Sequence, residues 1–303
     1  MLERLRHLAS TVPQPKKDSI EAVPLRHPYR VAVALFLALS GIAFVIDAAH
    51  RTAYDWKAFG KYLFDSRVIK SAGVTLELTV SAMFFAFILG ITFAVMRRSP
   101  NPIFQSISWV FIWIFRGTPV YVQLVFWGLL STIYHSIFIG IPDLHYHHFY
   151  LGVHIALSQN TSLFWIAVVG LSLNEAAYMA EIVRAGLLAV DSGQEEAAAS
   201  LGMSWWTTMR YIVIPQAMRI IIPPSGNEII SMLKTTSLVT AVPLVTDLYA
   251  RTRDISDETY NPIPLLLVAC TWYLFFTTIL MVGQYFLEKR FARGHRPMIA
   301  MAS

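Results

Sequence analysis

Apolar residues along this chain fall into long unbroken runs, without the alternation of a half-buried strand or the three-four spacing of an amphipathic surface helix. The runs are Val31 to Ala49, Ala72 to Met96, Ile103 to Ile133, Ser162 to about Val190, Met218 to about Leu248, and Pro264 to Leu287. About 20 apolar residues of helix cross a hydrocarbon core of about 30 Å. The pattern therefore predicts an all-α membrane protein of about six transmembrane helices joined by short connections. Residues 1–30 carry Pro13, Pro15, Pro24 and Pro28 among Arg and Lys, and read as a polar tail. The run at 31–49 follows too late and is too long for a typical cleaved signal peptide, so it reads as the first span.

Composition agrees with lipid as the main solvent. Of 303 residues 55% are apolar and 14% charged, and mean hydropathy is +0.52. A soluble domain carries about 25% charged residues. The formal net charge of +5 is explained by basic loops, so nucleic acid is not called for. Arg4, Arg6, Lys16, Lys17, Arg26, Arg30, Arg97, Arg98 and Arg210, with the basic residues after Leu287, exceed the Lys and Arg of the alternate segments. That bias predicts both termini on the cytosolic side of a bacterial cell membrane. One cysteine, Cys270, leaves no disulfide or CxxC site within the chain.

The longest polar connection between late spans is Asp191-Ser-Gly-Gln-Glu-Glu-Ala-Ala-Ala-Ser-Leu-Gly-Met203. Ser192 followed by Glu195 is a capping-box pattern, so a short helix is expected to start at Ser192. Gly202 stands where helices commonly end in the left-handed conformation. A short helix of alanines makes a knob for a partner's groove, although a plain amphipathic linker shares this composition. The spacing Glu196-Ala197-Ala198, then Gly202, then Ile212-Val213-Ile214-Pro215 resembles the EAA signature of ABC-importer permeases, with Ile214 in place of the usual leucine.

More of the chain resembles the polar amino acid permeases of the histidine, glutamate and glutamine type. The matching segments are Gly73-Val-Thr-Leu-Glu-Leu78, Phe115-Arg-Gly-Thr-Pro119 with Gln123, Ala177-Tyr-Met-Ala-Glu-Ile-Val-Arg184, Gly193-Gln194, Pro215-Gln216-Ala217 and Leu233-Lys-Thr-Thr-Ser-Leu238. In the last of these Thr235 replaces the usual acid. The resemblance implies a type I importer core at 72–287 containing a 191–215 coupling loop, with tails at 1–30 and 288–303. It implies a cytosolic ABC ATPase dimer, a second permease subunit (the same chain or a paralogue) and an extracytoplasmic amino acid binding protein as partners. Coupling falls to Gly193, Glu196, Ala197, Ala198, Gly202 and Pro215. The sequence holds no G-x-x-x-x-G-K-[ST] motif, so ATP and Mg are expected on the partner ATPase, with no cofactor and no catalytic residue in this chain.

Glu77, Arg116, Glu175, Glu181, Glu228 and Lys234 fall in or near apolar runs, where a charge costs about 2.5–3.5 kcal/mol on insertion scales. Each is expected to face the interior, as a packing pair or as part of a substrate path. A zwitterion needs partners for an ammonium and a carboxylate, and Arg116, Glu175, Glu181 and Lys234 are the candidates. Glu181 and Arg184 are spaced to pair within a helix. The outer segment holds His135, His145, His147, His148 and His154, but no cysteine or acid cluster accompanies them, so a solvated or interfacial loop is expected and no metal. Trp109, Trp113, Trp127, Trp205 and Trp206 read as packing and interfacial anchors. Pro215, Pro223 and Pro224 suit either a hinge or simple chain routing. A secondary transporter using the buried acids as ion sites is the rival function, and it has no use for the EAA loop.

Overall fold

The computed structural model describes residues 28–134, 136–142, 149–156 and 160–291. It divides into two units, Met1–Arg51 and Thr52–Ser303. In the first unit, α1 (Pro28–His50) is a 23-residue helix that covers the first predicted span. Arg51 pairs with Asp47 one turn back at its end.

The second unit opens with a 3-10 turn (Thr52–Tyr54) and a short amphipathic helix, α2 (Trp56–Leu63). The Asp55 side chain caps α2 by accepting from the Ala58 N–H at 3.1 Å. The long spanning helix α3 (Ser66–Arg98) is capped in turn by Asp65. A hydrogen bond from Arg67 holds the Asp65 carboxyl below the usual carboxylate range. Helix α3 is apolar nearly all round, so residue size, more than polarity, marks its interior. Ala72, Thr75, Thr79, Ala82, Ala86, Gly90 and Ala94 form a buried stripe at three-four spacing, while Val80, Phe84, Ile91 and Val95 are exposed.

From Ala82 on, that stripe packs against α6 (Asn160–Leu188). At Gly90 a Cβ would stand 2.6 Å from the Met179 Cβ and 3.2 Å from the Ala180 backbone nitrogen. Backbone on one side and a rigid Cβ on the other leave nothing to give way. Gly90→Ala is therefore expected to cost about 1–3 kcal/mol, the usual range for overpacking. The check is a lower melting midpoint of the detergent-solubilised protein with an unchanged helical spectrum.

Between α3 and α6 the predicted single span at Ile103 to Ile133 is two helices, α4 (Pro102–Gly117) and α5 (Val120–Ile133). Up to Leu130 they meet at a bend of 102°. Thr118 and Pro119 lie in extended conformation at the bend, and Pro119 has no N–H with which to carry a helix through it. The segment after α5, expected as an outer loop, contains an antiparallel pair of strands, β1 (Ser136–Pro142) and β2 (Phe149–Ala156). His154 is on β2 opposite Phe138, whereas His135, His145, His147 and His148 lie outside the described residues.

After α6 come α7 (Ser192–Ser200), the single turn α8 (Trp205–Thr208), a π-helical turn (Met209–Val213) and α9 (Ile214–Thr235). Helix α9 runs unbroken through Pro223 and Pro224. These prolines remove the two N–H groups that would bond the carbonyls of Arg219 and Ile220. The predicted run to Leu248 stops short at Thr235. A 3-10 segment (Thr236–Ala241) tightens the chain, and Val242 turns extended before Pro243, as a residue ahead of proline prefers. Then follow α10 (Leu248–Thr259), capped by Asp247 through the N–H groups of Tyr249 and Ala250, and the long α11 (Pro262–Phe291).

Among the described residues four helices, α1, α3, α6 and α11, are each long and apolar enough to cross a membrane, and the bent α4–α5 pair makes a fifth. Helix α9, with 22 residues, has the length of a span but carries Arg219, Glu228 and Lys234. Its Gln284 neighbour on α11 donates to the Pro223 carbonyl at 3.4 Å and to the Asn227 side chain at 2.9 Å. Of the three charged residues Glu228 is half-buried, while Arg219 and Lys234 are exposed.

Candidate functional site

A kinked chain at membrane depth is tolerated only where its freed backbone groups find partners. At the α4–α5 bend they do. The Gln123 amide, one turn into α5, donates to the carbonyls of Phe115 at 3.1 Å and Thr118 at 3.0 Å, and to the Thr118 hydroxyl at 2.7 Å. Asn174 of α6 donates to the same Phe115 carbonyl at 2.9 Å and to the Gln123 side-chain oxygen at 3.2 Å. The Phe-Arg-Gly-Thr-Pro stretch with its following glutamine thus acts as one device that bends the chain and fastens the bend to α6. Gln123→Leu leaves the Phe115 carbonyl one donor and takes from the Thr118 carbonyl its side-chain donor among the described residues. A buried unsatisfied group costs about 1–3 kcal/mol, so a lower melting midpoint in detergent is expected, with Gln123→Glu restoring less than Gln123→Asn.

The bend places Val120 over a cavity of about 270 Å³ lined also by Asn174, Glu175 and Tyr178 of α6 and by Glu228, Ser231 and Thr235 of α9. Glu175 is 6% exposed. Its Oε1 atom is buried with no hydrogen-bond partner among the described residues. Nearly all buried polar atoms have a partner, so this carboxyl oxygen, beside a cavity and next to a second acid, is open to a donor. Glu228 adds a second carboxylate to the same wall. Thr235, which stands where similar sequences carry an acid, also lines it, its hydroxyl turned to the Ser231 carbonyl at 3.0 Å.

A neighbouring cavity of about 390 Å³ contains Arg97, Trp109, Trp113, Arg116, Tyr178 and Glu181. The Arg116 guanidinium lies over the Tyr178 ring, 5.3 Å from its centre. Glu181 receives two nitrogens of Arg184 on one oxygen, at 3.0 and 2.6 Å, so the expected helical pair is present. Of the residues selected from sequence, Glu175 stands in the first cavity, and Arg116 and Glu181 line the second. Lys234 is exposed and lines neither. Glu77, expected to face inward, is exposed on α3. The selection missed Glu228 as a site residue, along with Asn174, Tyr178 and Thr235. For Glu228 the signal was present, a carboxylate inside an apolar run, but only the pairing of α6 with α9 sets it opposite Glu175.

The loop at the far end of α6 is built around α7. Asp191, one residue earlier than the Ser192 cap expected from sequence, caps it by accepting from the Gly193 N–H at 2.7 Å. Aspartate at the cap and Ser192 inside the first turn bring the carboxylate to the free N–H groups directly. At the other end Gly202 has φ +73°. Its N–H bonds the Ala199 carbonyl at 2.9 Å and the Met203 N–H bonds Ala198 at 3.1 Å, the paired bonds of a Schellman ending. Ala198 is buried, whereas Glu196 and Ala197 are exposed. Gln216, next to Pro215, donates to Gln194 at 3.3 Å and ties the start of α9 to α7. Leu201 and Trp206 are 81% and 76% exposed, so this end of the unit presents a small apolar surface beside Glu196.

The family of binding-protein-dependent transport system inner membrane components matches residues 86–293. The chain is 53% identical over 287 residues to the arginine transport system permease protein ArgU of Corynebacterium glutamicum, covering 94% of this chain and 86% of that one. It is 33% identical to the arginine transport system permease protein ArtQ of Bacillus subtilis, over 72% of this chain and 89% of that one. Among solved structures, an amino acid ABC transporter crystallised with histidines superposes with a TM-score of 0.63 at 32% identity, covering 78% of this chain and 98% of that one. The MetNI methionine ABC transporter, at 18% identity, shares the fold with a TM-score of 0.56 over 75% of this chain and 96% of that one.

Proposed function

The chain belongs to the family of binding-protein-dependent transport system inner membrane components, and from that premise we propose that it carries a cationic amino acid, arginine first, through the Glu175–Glu228 cavity. It is the permease subunit of an amino acid ABC importer, a multi-pass membrane protein and not an enzyme. ATP hydrolysis belongs to separate ATPase subunits.

The observation that carries the substrate class is the pair of acids, Glu175 with its buried Oε1 and Glu228, facing one cavity. Two acids and no base line that cavity, which favours an ammonium or guanidinium over an anion. The arginine permeases among its relatives support the same choice. Arg116, across Tyr178, is the group for the substrate's carboxylate, with Glu181 alongside. Lys234 keeps a supporting role at the end of α9.

The exposed face around Glu196, Ala197 and Leu201 docks in a groove of a cytosolic ATPase dimer, with Gly193, Ala198, Gly202 and Pro215 holding its shape. On this reading both termini and the loop 191–215 lie in the cytosol. Two permease subunits form the path, and an extracytoplasmic binding protein delivers the amino acid. The core spans 72–287, preceded by a tail at 1–30 and a first span at 31–49, and followed by a tail at 288–303. ATP and Mg bind on the partner.

The test is uptake of labelled L-arginine into vesicles with ATP inside and the binding protein outside, in competition with unlabelled arginine, histidine, glutamine and glutamate. Uptake is expected to require ATP, to be displaced by arginine and to resist glutamate. Uptake that persists without ATP and collapses with an ionophore would overturn the importer reading, and displacement by glutamate would overturn the substrate class. Recovery of a second, differently tagged copy in a pull-down would show that the permease pair is homomeric.

A further inference from the structure

The two cavities share one wall. Tyr178 lines both, and Arg116 lies over its ring on the side of the larger cavity. Glu181, in the larger cavity, is six positions beyond Glu175 along α6, about 9 Å at 1.5 Å per residue. That direction leads to the α7 loop, and Arg97 at the last turn of α3 joins the same cavity. The larger cavity therefore lies further along the axis towards the coupling end.

Its chemistry is the reverse of the first. Arg116 makes no ion pair among the described residues, and Arg97 has only a 3.4 Å bond to the Gln105 carbonyl. Arg116 is exposed and close enough to Glu228 to act on its carboxyl, and Arg97 is half-buried in the last turn of α3, so both can receive an anion. Glu181 spends one oxygen, Oε2, on Arg184, which leaves Oε1 to receive a donor. Trp109 and Trp113 stack in parallel with ring centres 5.9 Å apart and remain largely exposed. Their faces attract a passing guanidinium or ammonium.

From this arrangement we propose that the larger cavity is a second station for the transported amino acid, occupied after the Glu175–Glu228 cavity and before release. This rests on the transport reading given above. Arg116, which reaches the α-carboxylate while the side chain is in the first cavity, shares it with Arg97 at the second station, where Glu181 Oε1 takes the α-ammonium and the Trp109–Trp113 faces a cationic side chain. Tyr178 is the partition that the substrate passes. The first cavity holds a cation by two carboxylates, while the second adds two arginines beside it. The side chain is therefore held less firmly at the second station while the carboxylate draws the molecule on. A path conducts when each site binds well enough to be entered and weakly enough to be left.

The test uses the permease–ATPase complex in lipid vesicles, with Trp113→Cys in a Cys270→Ser background. The rate at which a small methanethiosulfonate reagent modifies the new thiol is measured with and without L-arginine, and Trp109→Cys serves as a second reporter should the first not assemble. L-arginine is expected to slow modification at least fivefold. Protection should persist when Glu175→Gln is added and vanish with Arg97→Gln. Protection lost with Glu175→Gln and indifferent to Arg97→Gln would overturn the proposal, because it would mean a single site. Absence of protection in a complex whose wild-type form takes up labelled arginine would overturn it as well. Absence of arginine uptake by the wild type would instead strike the transport reading itself.

Discussion

Gly202→Val is expected to leave the spanning helices inserted while abolishing both uptake and the stimulation of ATP hydrolysis by the binding protein. Gly202 has φ +73°, and a Cβ added there meets nothing within 4 Å. Space is therefore not the constraint, and backbone conformation is. A residue with a Cβ pays roughly 1–2 kcal/mol in the left-handed region, and a β-branched one more. The Schellman bonds from Gly202 and Met203 to α7 would be traded away to relieve that strain, and the chain leaving α7 would point elsewhere. Gly202→Asn separates conformation from bulk, since asparagine tolerates this region, and it should recover most of the stimulation. Wild-type stimulation in Gly202→Val at equal membrane levels would show that this ending does not transmit force.

The cap at the opposite end shows why the loop was legible. Short-range chemistry fixes α7: an acid before the first turn, small residues within it and a glycine after it, all within twelve positions. Sequence reading erred there by one residue, choosing Ser192 over Asp191, because both side chains can accept from a free N–H and only geometry decides which does. The spanning helices α1, α3, α6 and α11 were equally plain, since lipid as solvent demands long apolar runs.

The bend between α4 and α5 was not legible. Nothing in the apolar content of Ile103 to Ile133 distinguishes a straight helix from one broken at Thr118 and Pro119, and a proline alone does not say whether its helix bends or continues. Pro223 and Pro224 lie within α9, which runs on through them. At the α4–α5 bend the distant Asn174 takes up a freed carbonyl, whereas in α9 the Gln284 amide reaches the Pro223 carbonyl and not those of Arg219 and Ile220, and neither arrangement is written in the local sequence. The same holds for the site. Ionisable residues in apolar runs announced that something polar was enclosed, but the list held six of them and gave no pairing. The packing of α6 on α9 selects Glu175 with Glu228 and turns Lys234 away from both cavities.

That pairing carries the second large effect. Glu175→Gln keeps the shape of the side chain and exchanges the acid for an amide, so a change in uptake reports on the acid and not on packing. A hydrogen bond to a charged group contributes about 1.5–3 kcal/mol, and 1.4 kcal/mol is a factor of ten. Arginine uptake at subsaturating concentration should therefore fall ten- to a hundredfold, with the amount of assembled complex unchanged. Arg116→Ala should fall comparably, through the carboxylate end of the substrate. Thr235→Asp supplies the contrasting case, because it places a third acid on the wall that already holds Glu175 and Glu228. It is expected to strengthen competition by cationic amino acids relative to glutamine and to weaken that by glutamate. Equal uptake in wild type, Glu175→Gln and Arg116→Ala would remove both residues from the path, whereas loss of the complex from the membrane would mark them as parts of the packing. A competition order untouched by Thr235→Asp would show that the cavity does not sort substrates by charge, and that sorting rests with the binding protein outside.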